Sequence, residues 1–157
     1  MSSCYADIRA DLIAGYISNG QRVVAYGLFV EHFEGYETVW TGNDGRVYFY
    51  QSEIPYDVPD QTRWGPKGYA SYKVSDQVTS HSAQGLGVYC NFWRSNVQLE
   101  NAIEAPTGSG HQDVRMEYMC TVWLDGADGS SINHVFNGQG QAATKAKAGK
   151  PQPFTNL

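Results

Sequence analysis

Apolar and aromatic positions come in short runs broken by Gly, Asn, Asp and Pro. Val23–Val30 and Val47–Tyr50 are rich in β-branched and aromatic residues, and they flank a brief Thr38-Val39-Trp40 run and a turn at Gly42-Asn43-Asp44-Gly45. Such runs, bounded by residues that tolerate tight bends, predict strands. In Leu86–Trp93, Leu86, Val88, Cys90 and Phe92 share one parity, while Gly87, Tyr89, Asn91 and Trp93 share the other. In the clearest run, Val114, Met116, Tyr118, Cys120, Val122 and Leu124 are predicted to face one way. Strict alternation likewise turns Val47 and Phe49 inward and Tyr48 and Tyr50 outward, and it sets Glu31 outward but Glu53 inward unless a bend intervenes. Before these runs, Ile8, Leu12 and Ile13 fit one side of a short helix, but Gly15 and Asn19-Gly20 interrupt it and favour a strand at Leu12–Ile17.

The main runs start at Val24, Val47, Tyr69, Leu86, Val114 and Ile132, about 22 residues apart, whereas sandwich strands recur every ~8–12 residues. That interval suits the coils of a parallel β-helix. The expected fold is therefore all-β, a right-handed parallel β-helix of about five to six coils over residues 1–140. Residues 141–157 read as a flexible low-complexity tail. With no cap visible, the solenoid is expected to pack against a second β-helix chain or another copy of itself. Between the runs, Ile54 to Lys67 holds three prolines, Trp64 and two aspartates, a loop of the length that is usually functional or disordered.

Composition narrows the function. The 157 residues make one domain's worth of chain, and the 17 glycines suit a turn-rich β protein. A net charge of −5 without a basic cluster argues against nucleic acid. No run reaches the ~18 apolar residues of a membrane span. The start, MSSCYADIRADL, lacks the pattern of a signal peptide. Cys4, Cys90 and Cys120 are too scattered for a disulfide framework: Cys90 and Cys120 form one bridge or are small buried residues. No spacing suggests a metal, no Gly-rich loop a phosphate cofactor, and no constellation a Ser-His-Asp triad. The 11 Tyr and 4 Trp are a heavy load of rings with a polar handle, suited to binding something flat.

Carboxylates end two of the strand runs, Glu31 with His32 beside it and Glu53 with Gln51 two positions before it. Two carboxyl groups are what glycoside hydrolysis requires. Glu31, between Phe29 and Phe33, has the apolar setting that raises a carboxyl pKa. The other reading makes both acids coil-end carboxylates bonded to turn amides, and His32 a satisfied interior histidine. Glu34, Glu37, Asp57 and Asp60 read as solvated loop charges. Tyr48, Tyr50, Tyr89 and Trp93 would form an outward aromatic ladder for a glycan, or else bury against a missing half of a larger protein.

Three stretches, VVAYGLFVEHFEGYETVWTGNDGRVYFYQSEIPYD, KGYASYKVSDQVTSHSAQGLGVYCNFW and TVWLDGADGSSINHVFNGQG, carry a resemblance over about residues 10 to 140. They resemble the C-terminal half of secreted proteins related to the family 55 glycoside hydrolases, β-1,3-glucanases built from two right-handed parallel β-helices. The resemblance implies a β-glucan-directed, inverting hydrolase acting outside the cell, with a cleft between two β-helices of which this chain holds one. On this reading Glu31 and Glu53 are catalytic, and Trp40, Tyr48, Tyr50, Gln51, Trp64, Tyr89 and Trp93 bind a polysaccharide or oligosaccharide without cofactor or metal. The competing class is a non-catalytic carbohydrate-binding or structural β-helix module. A pair of carboxylates converging beside aromatic rings separates the two.

Overall fold

Every second strand returns to the same sheet. In the computed structural model, which describes residues 14–156, the strands are β1 (Ala14–Ser18), β2 (Val24–Phe29), β3 (Tyr36–Trp40), β4 (Gly45–Glu53), β5 (Tyr72–Val74) and β6 (Ser80–Phe92). There follow β7 (Gln98–Glu104), β8 (Asp113–Gly126), β9 (Ser131–Phe136), β10 (Ala143–Thr144) and β11 (Gln152–Phe154). One sheet runs β1-β3-β5-β7-β9 in parallel and the other β2-β4-β6-β8 in parallel. That is a parallel β-helix, as the spacing predicts. The strand expected at Leu12–Ile17 is seen as β1, and its residues before Ala14 lie outside the described part, as does Cys4.

The coils are fewer than the five to six expected. Odd strands start at residues 14, 36, 72, 98 and 131, so one coil takes about 29 residues. The runs beginning near Tyr69 and at Leu86, counted as two coils from sequence, belong to the two sheets of a single coil, β5 and β6.

A column of left-handed residues bends the second sheet. Tyr26, Tyr48, Gln84 and Glu117 pair laterally, and so do Leu28, Tyr50, Leu86 and Met119. Between these rows lie Gly27, Phe49, Gly85 and Tyr118, with φ of 65°, 66°, 73° and 54°. One left-handed residue inserted in a strand reverses the alternation beyond it. Hence Phe49 and Tyr118 stand exposed, while Tyr50 turns inward. Leu86, Val88, Cys90 and Phe92 are buried, as their shared parity predicts. In β8 Met116 is buried as expected, but beyond Tyr118 the facing changes: Met119 and Trp123 join the core cluster, Thr121 is buried and Leu124 is exposed, while Val122 stays buried as expected.

Residues 141–157 correct a second expectation. β11 pairs antiparallel with β8, setting Gln152 opposite Thr121 and Phe154 opposite Met119, and β10 pairs antiparallel with β9. The Phe154 ring stacks on Phe136, centroids 6.4 Å apart. Parallel strands at the end of a solenoid expose backbone groups that invite pairing, and this segment covers them in both sheets. Pro153, lacking a donor, is tolerated because β11 is an edge strand. The segment is a cap and not a tail. Cys90 is buried and Cys120 half-buried, and both carry free thiols.

Candidate active site

The reversal at Phe49 has a functional consequence: it brings Gln51 and Glu53 onto the same side as Glu31. The parallel ladder continues past β2, because the Val30 amide donates to the Gln51 carbonyl at 3.2 Å and the His32 amide to the Glu53 carbonyl at 3.0 Å. Glu31 and Glu53 thus sit on neighbouring coils, whose backbones lie about 4.8 Å apart. The Gln51 amide donates to Oε1 of Glu31 at 3.4 Å. On the other carboxyl, the Tyr56 hydroxyl donates to Oε2 of Glu53, and His32 Nε2 faces the same oxygen at 3.4 Å. The His32 and Tyr56 rings meet edge to face with centroids 4.6 Å apart. Tyr89 pairs with Glu53 from the next coil.

Burial pushes the Glu31 carboxyl above its ordinary range; the Glu53 charge adds to the rise, and His32 and Gln51 oppose it. That direction is the one its apolar neighbours predict. Burial, with the Glu53 carboxylate as its bonding partner, also raises the Tyr56 hydroxyl, which keeps it a donor. Each carboxyl therefore has its own hydrogen-bond donor, and the Glu53 charge bears on Glu31. Two carboxyl groups side by side are what acid–base chemistry on a glycosidic bond needs.

Glu31, Glu53, Gln51 and Tyr89 lie together, although strict alternation sets Glu53 inward. Trp40, Tyr50 and Trp64 do not join them, because all three are core residues. Trp40 is fully buried, its ring 4.9 Å from His81 and lying over Gly45, where there is no side chain. The Tyr50 hydroxyl meets Thr38 Oγ1, the Ser71 carbonyl and Ser71 Oγ at 3.2, 3.2 and 3.0 Å, so an interior tyrosine is satisfied. Trp64 Nε1 donates to the Glu34 carbonyl at 2.8 Å while its ring packs against Phe92. With Val58 and Ile54, Trp64 anchors the long loop in the core. Tyr48 is half-buried and stacked on Tyr26, centroids 5.2 Å apart, and Trp93 is exposed beneath the Arg94 guanidinium.

Three side chains escape the sequence reading. Tyr56 reaches Glu53 only because the chain turns back after β4, and its three-residue spacing from Glu53 was the available signal. Glu37, read as a solvated loop charge, lies in β3 with none of its surface exposed. His32 faces Glu53 at the surface and is no interior histidine.

Fold and site define a β-helix protein of the pectate-lyase-like kind with a two-carboxyl centre. Residues 4–53, which include Glu31, His32, Gln51 and Glu53, match the LAM55 pectate lyase-like domain. Over 133 residues the chain is 40% identical to an exo-beta-1,3-glucanase of Streptomyces sp. (strain SirexAA-E / ActE), a match covering 82% of this chain and 21% of that protein. It superposes on the structure of sacteLam55A from Streptomyces sp. SirexAA-E with a TM-score of 0.77 and 36% identity, covering 89% of this chain and 26% of that one. A glutamate-to-alanine variant of sacteLam55A, in complex with glucose, gives a TM-score of 0.78 at 35% identity over 89% of this chain and 25% of that one. The chain is a β-helix similar in sequence and fold to these proteins. It spans about a fifth of the length of the curated relative it matches.

Proposed function

We propose that this chain carries the carboxyl pair of a β-1,3-glucan-directed glycoside hydrolase, acting on an extracellular polysaccharide or oligosaccharide. The observation that supports this reading best is the side-by-side placement of Glu31 and Glu53, each with a separate hydrogen-bond donor. One carboxyl protonates the leaving oxygen while the other activates water or attacks. Gln51, Tyr56 and Tyr89 lie beside the pair and offer polar groups and ring faces of the kind that suit a sugar. Incubation with soluble β-1,3-glucan, followed by assay of released reducing sugar, tests the reading. Release supports it, and binding without release contradicts it.

A second reading rests on a different observation. Tyr26, Phe49, Trp93 and Tyr118 are all exposed rings, and rings of this kind serve a glycan-binding module that performs no chemistry. Retention on glucan that is unchanged by substitution of both Glu31 and Glu53, with no sugar released, favours this module.

A further inference from the structure

We propose that Glu37 is a positioning residue, whose buried carboxyl clamps the turn that presents Glu31 and His32 to the substrate. The inference rests on the glycosidase reading of Glu31 and Glu53 and extends it to a residue that touches no substrate. The link from β2 to β3 must swing the chain from one sheet to the other within a few residues, and it does so through His32, whose φ is 65°. A non-glycine residue in the left-handed region persists only where its surroundings over-determine it. Glu37 supplies that restraint. One carboxyl oxygen accepts the Phe33 amide proton at 3.0 Å, directly after the left-handed residue. The side chain is fully buried, and its second oxygen is buried with no hydrogen-bond partner.

A buried carboxyl is costly whichever form it takes, and one held against a turn amide has a reason to stay. Its neutral form explains how it is tolerated, since an ion here would lie in the field of the Glu31 carboxylate. Burial pushes Glu37 up to about 9, and the charge of Glu31 adds to the rise, while the Phe33 and His32 amides oppose it. The titratable groups around it are Glu31 on the link and Tyr50 on β4; beyond Tyr50 stands Tyr72 on β5, bonded to His81 on β6. Burial keeps Tyr50 and Tyr72 protonated and His81 neutral. Among these described groups, Glu37 is the one whose change of charge bears on the turn.

Glu37→Gln and Glu37→Leu separate the clamp from mere packing. Glutamine keeps the acceptor for Phe33 without an ionisable proton, and leucine keeps the bulk without an acceptor. On soluble β-1,3-glucan, Glu37→Gln is expected to stay close to the parent kcat at neutral pH and to lose less activity on the alkaline side. Glu37→Leu is expected to lose kcat by roughly 10²-fold, the scale of a misplaced catalytic group, with a smaller change in KM. Equal kcat in the two variants, whether high or low, overturns the proposal. A second readout needs neither activity nor the leucine variant: the Phe33 amide resonance, followed from neutral to alkaline pH. It should titrate with Glu37 in the parent protein and stay fixed in Glu37→Gln, and identical titration in both overturns the clamp. A parent protein that hydrolyses nothing defeats the glycosidase reading, whereas the amide titration still decides whether Glu37 holds the turn.

Discussion

The Tyr56 hydroxyl and the Nε2 of His32 converge on a single oxygen, Oε2 of Glu53. A loop residue and a turn residue thus fix the orientation of a carboxyl at the end of β4. A hydrogen bond to a charged partner contributes about 1.5–3 kcal/mol, so loss of the Tyr56 hydroxyl removes a large part of that restraint. Tyr56→Phe, which keeps the ring against His32, should lower kcat on β-1,3-glucan by roughly 10-fold or more. Unchanged steady-state kinetics in this variant would show that the Tyr56–Glu53 contact does not serve the reaction.

Two buried groups give stability a pH dependence of opposite sign. Burial lifts Glu37 from 4.5 to about 9. Within that window the folded state keeps a proton that the unfolded chain has released, so stability falls as pH rises. His81 is pushed down from 6.5 to about 4 by burial, and there the unfolded chain takes up a proton that the folded state refuses. Its contribution is present above 6.5 and is lost as pH falls towards about 4. The two slopes oppose each other where the windows overlap, and above 6.5 Glu37 acts alone. Urea midpoints measured across pH should therefore show the parent losing stability relative to Glu37→Gln as pH rises from 6.5 towards about 9. A constant difference between the two proteins over that range contradicts the assignment.

Gly45 leaves room for the buried Trp40 ring. A Cβ at Gly45 would stand 2.1 Å from Trp40 Nε1 and 2.3 Å from Cε2, and a fully buried indole has nowhere to move. Gly45→Ala should destabilise the fold by about 1–3 kcal/mol, the usual cost of overpacking. A denaturant midpoint equal to that of the parent would show that the ring can shift.

Phe49 is a bulky residue in the left-handed region, 56% exposed. That conformation costs about 1–2 kcal/mol for a residue with a Cβ. Phe49→Gly removes this strain and gives up the edge contact with Phe29 and some chain entropy. Stability is expected to change by less than ~1 kcal/mol, whereas retention on immobilised β-1,3-glucan should weaken. A large loss of stability would mean that the ring holds the kink together.

The strands, the parallel-helix architecture and the strand-end positions of Glu31 and Glu53 were legible because β-branched runs, turn residues and strand-end acids are local signals. The left-handed column was not, since Phe49 and Tyr118 carry no composition that marks a bend, and the neighbouring coils select it. Reversed parity behind Phe49 explains why Tyr50 is interior and why Glu53 faces outward with Glu31. Trp40 and Trp64 were misplaced for a related reason: an indole is apolar enough for the core once its nitrogen or its ring finds a place, and only tertiary contacts show that. The C-terminal segment lacks an apolar run because it pairs through backbone along open sheet edges. Glu37 was hidden by its charge, which sequence reads as solvated and burial neutralises.

The proposed chemistry requires Glu31 and Glu53 to act as a pair. The most direct measurement compares sugar release from soluble β-1,3-glucan by the parent, Glu31→Gln and Glu53→Gln, with glucan binding measured in parallel. Each substitution keeps the side-chain size and should reduce turnover by a factor of about 10² or more, the ordinary share of acid–base catalysis, while leaving binding in place. Turnover unaffected by either substitution, or a parent protein that binds glucan and releases no sugar, would contradict it.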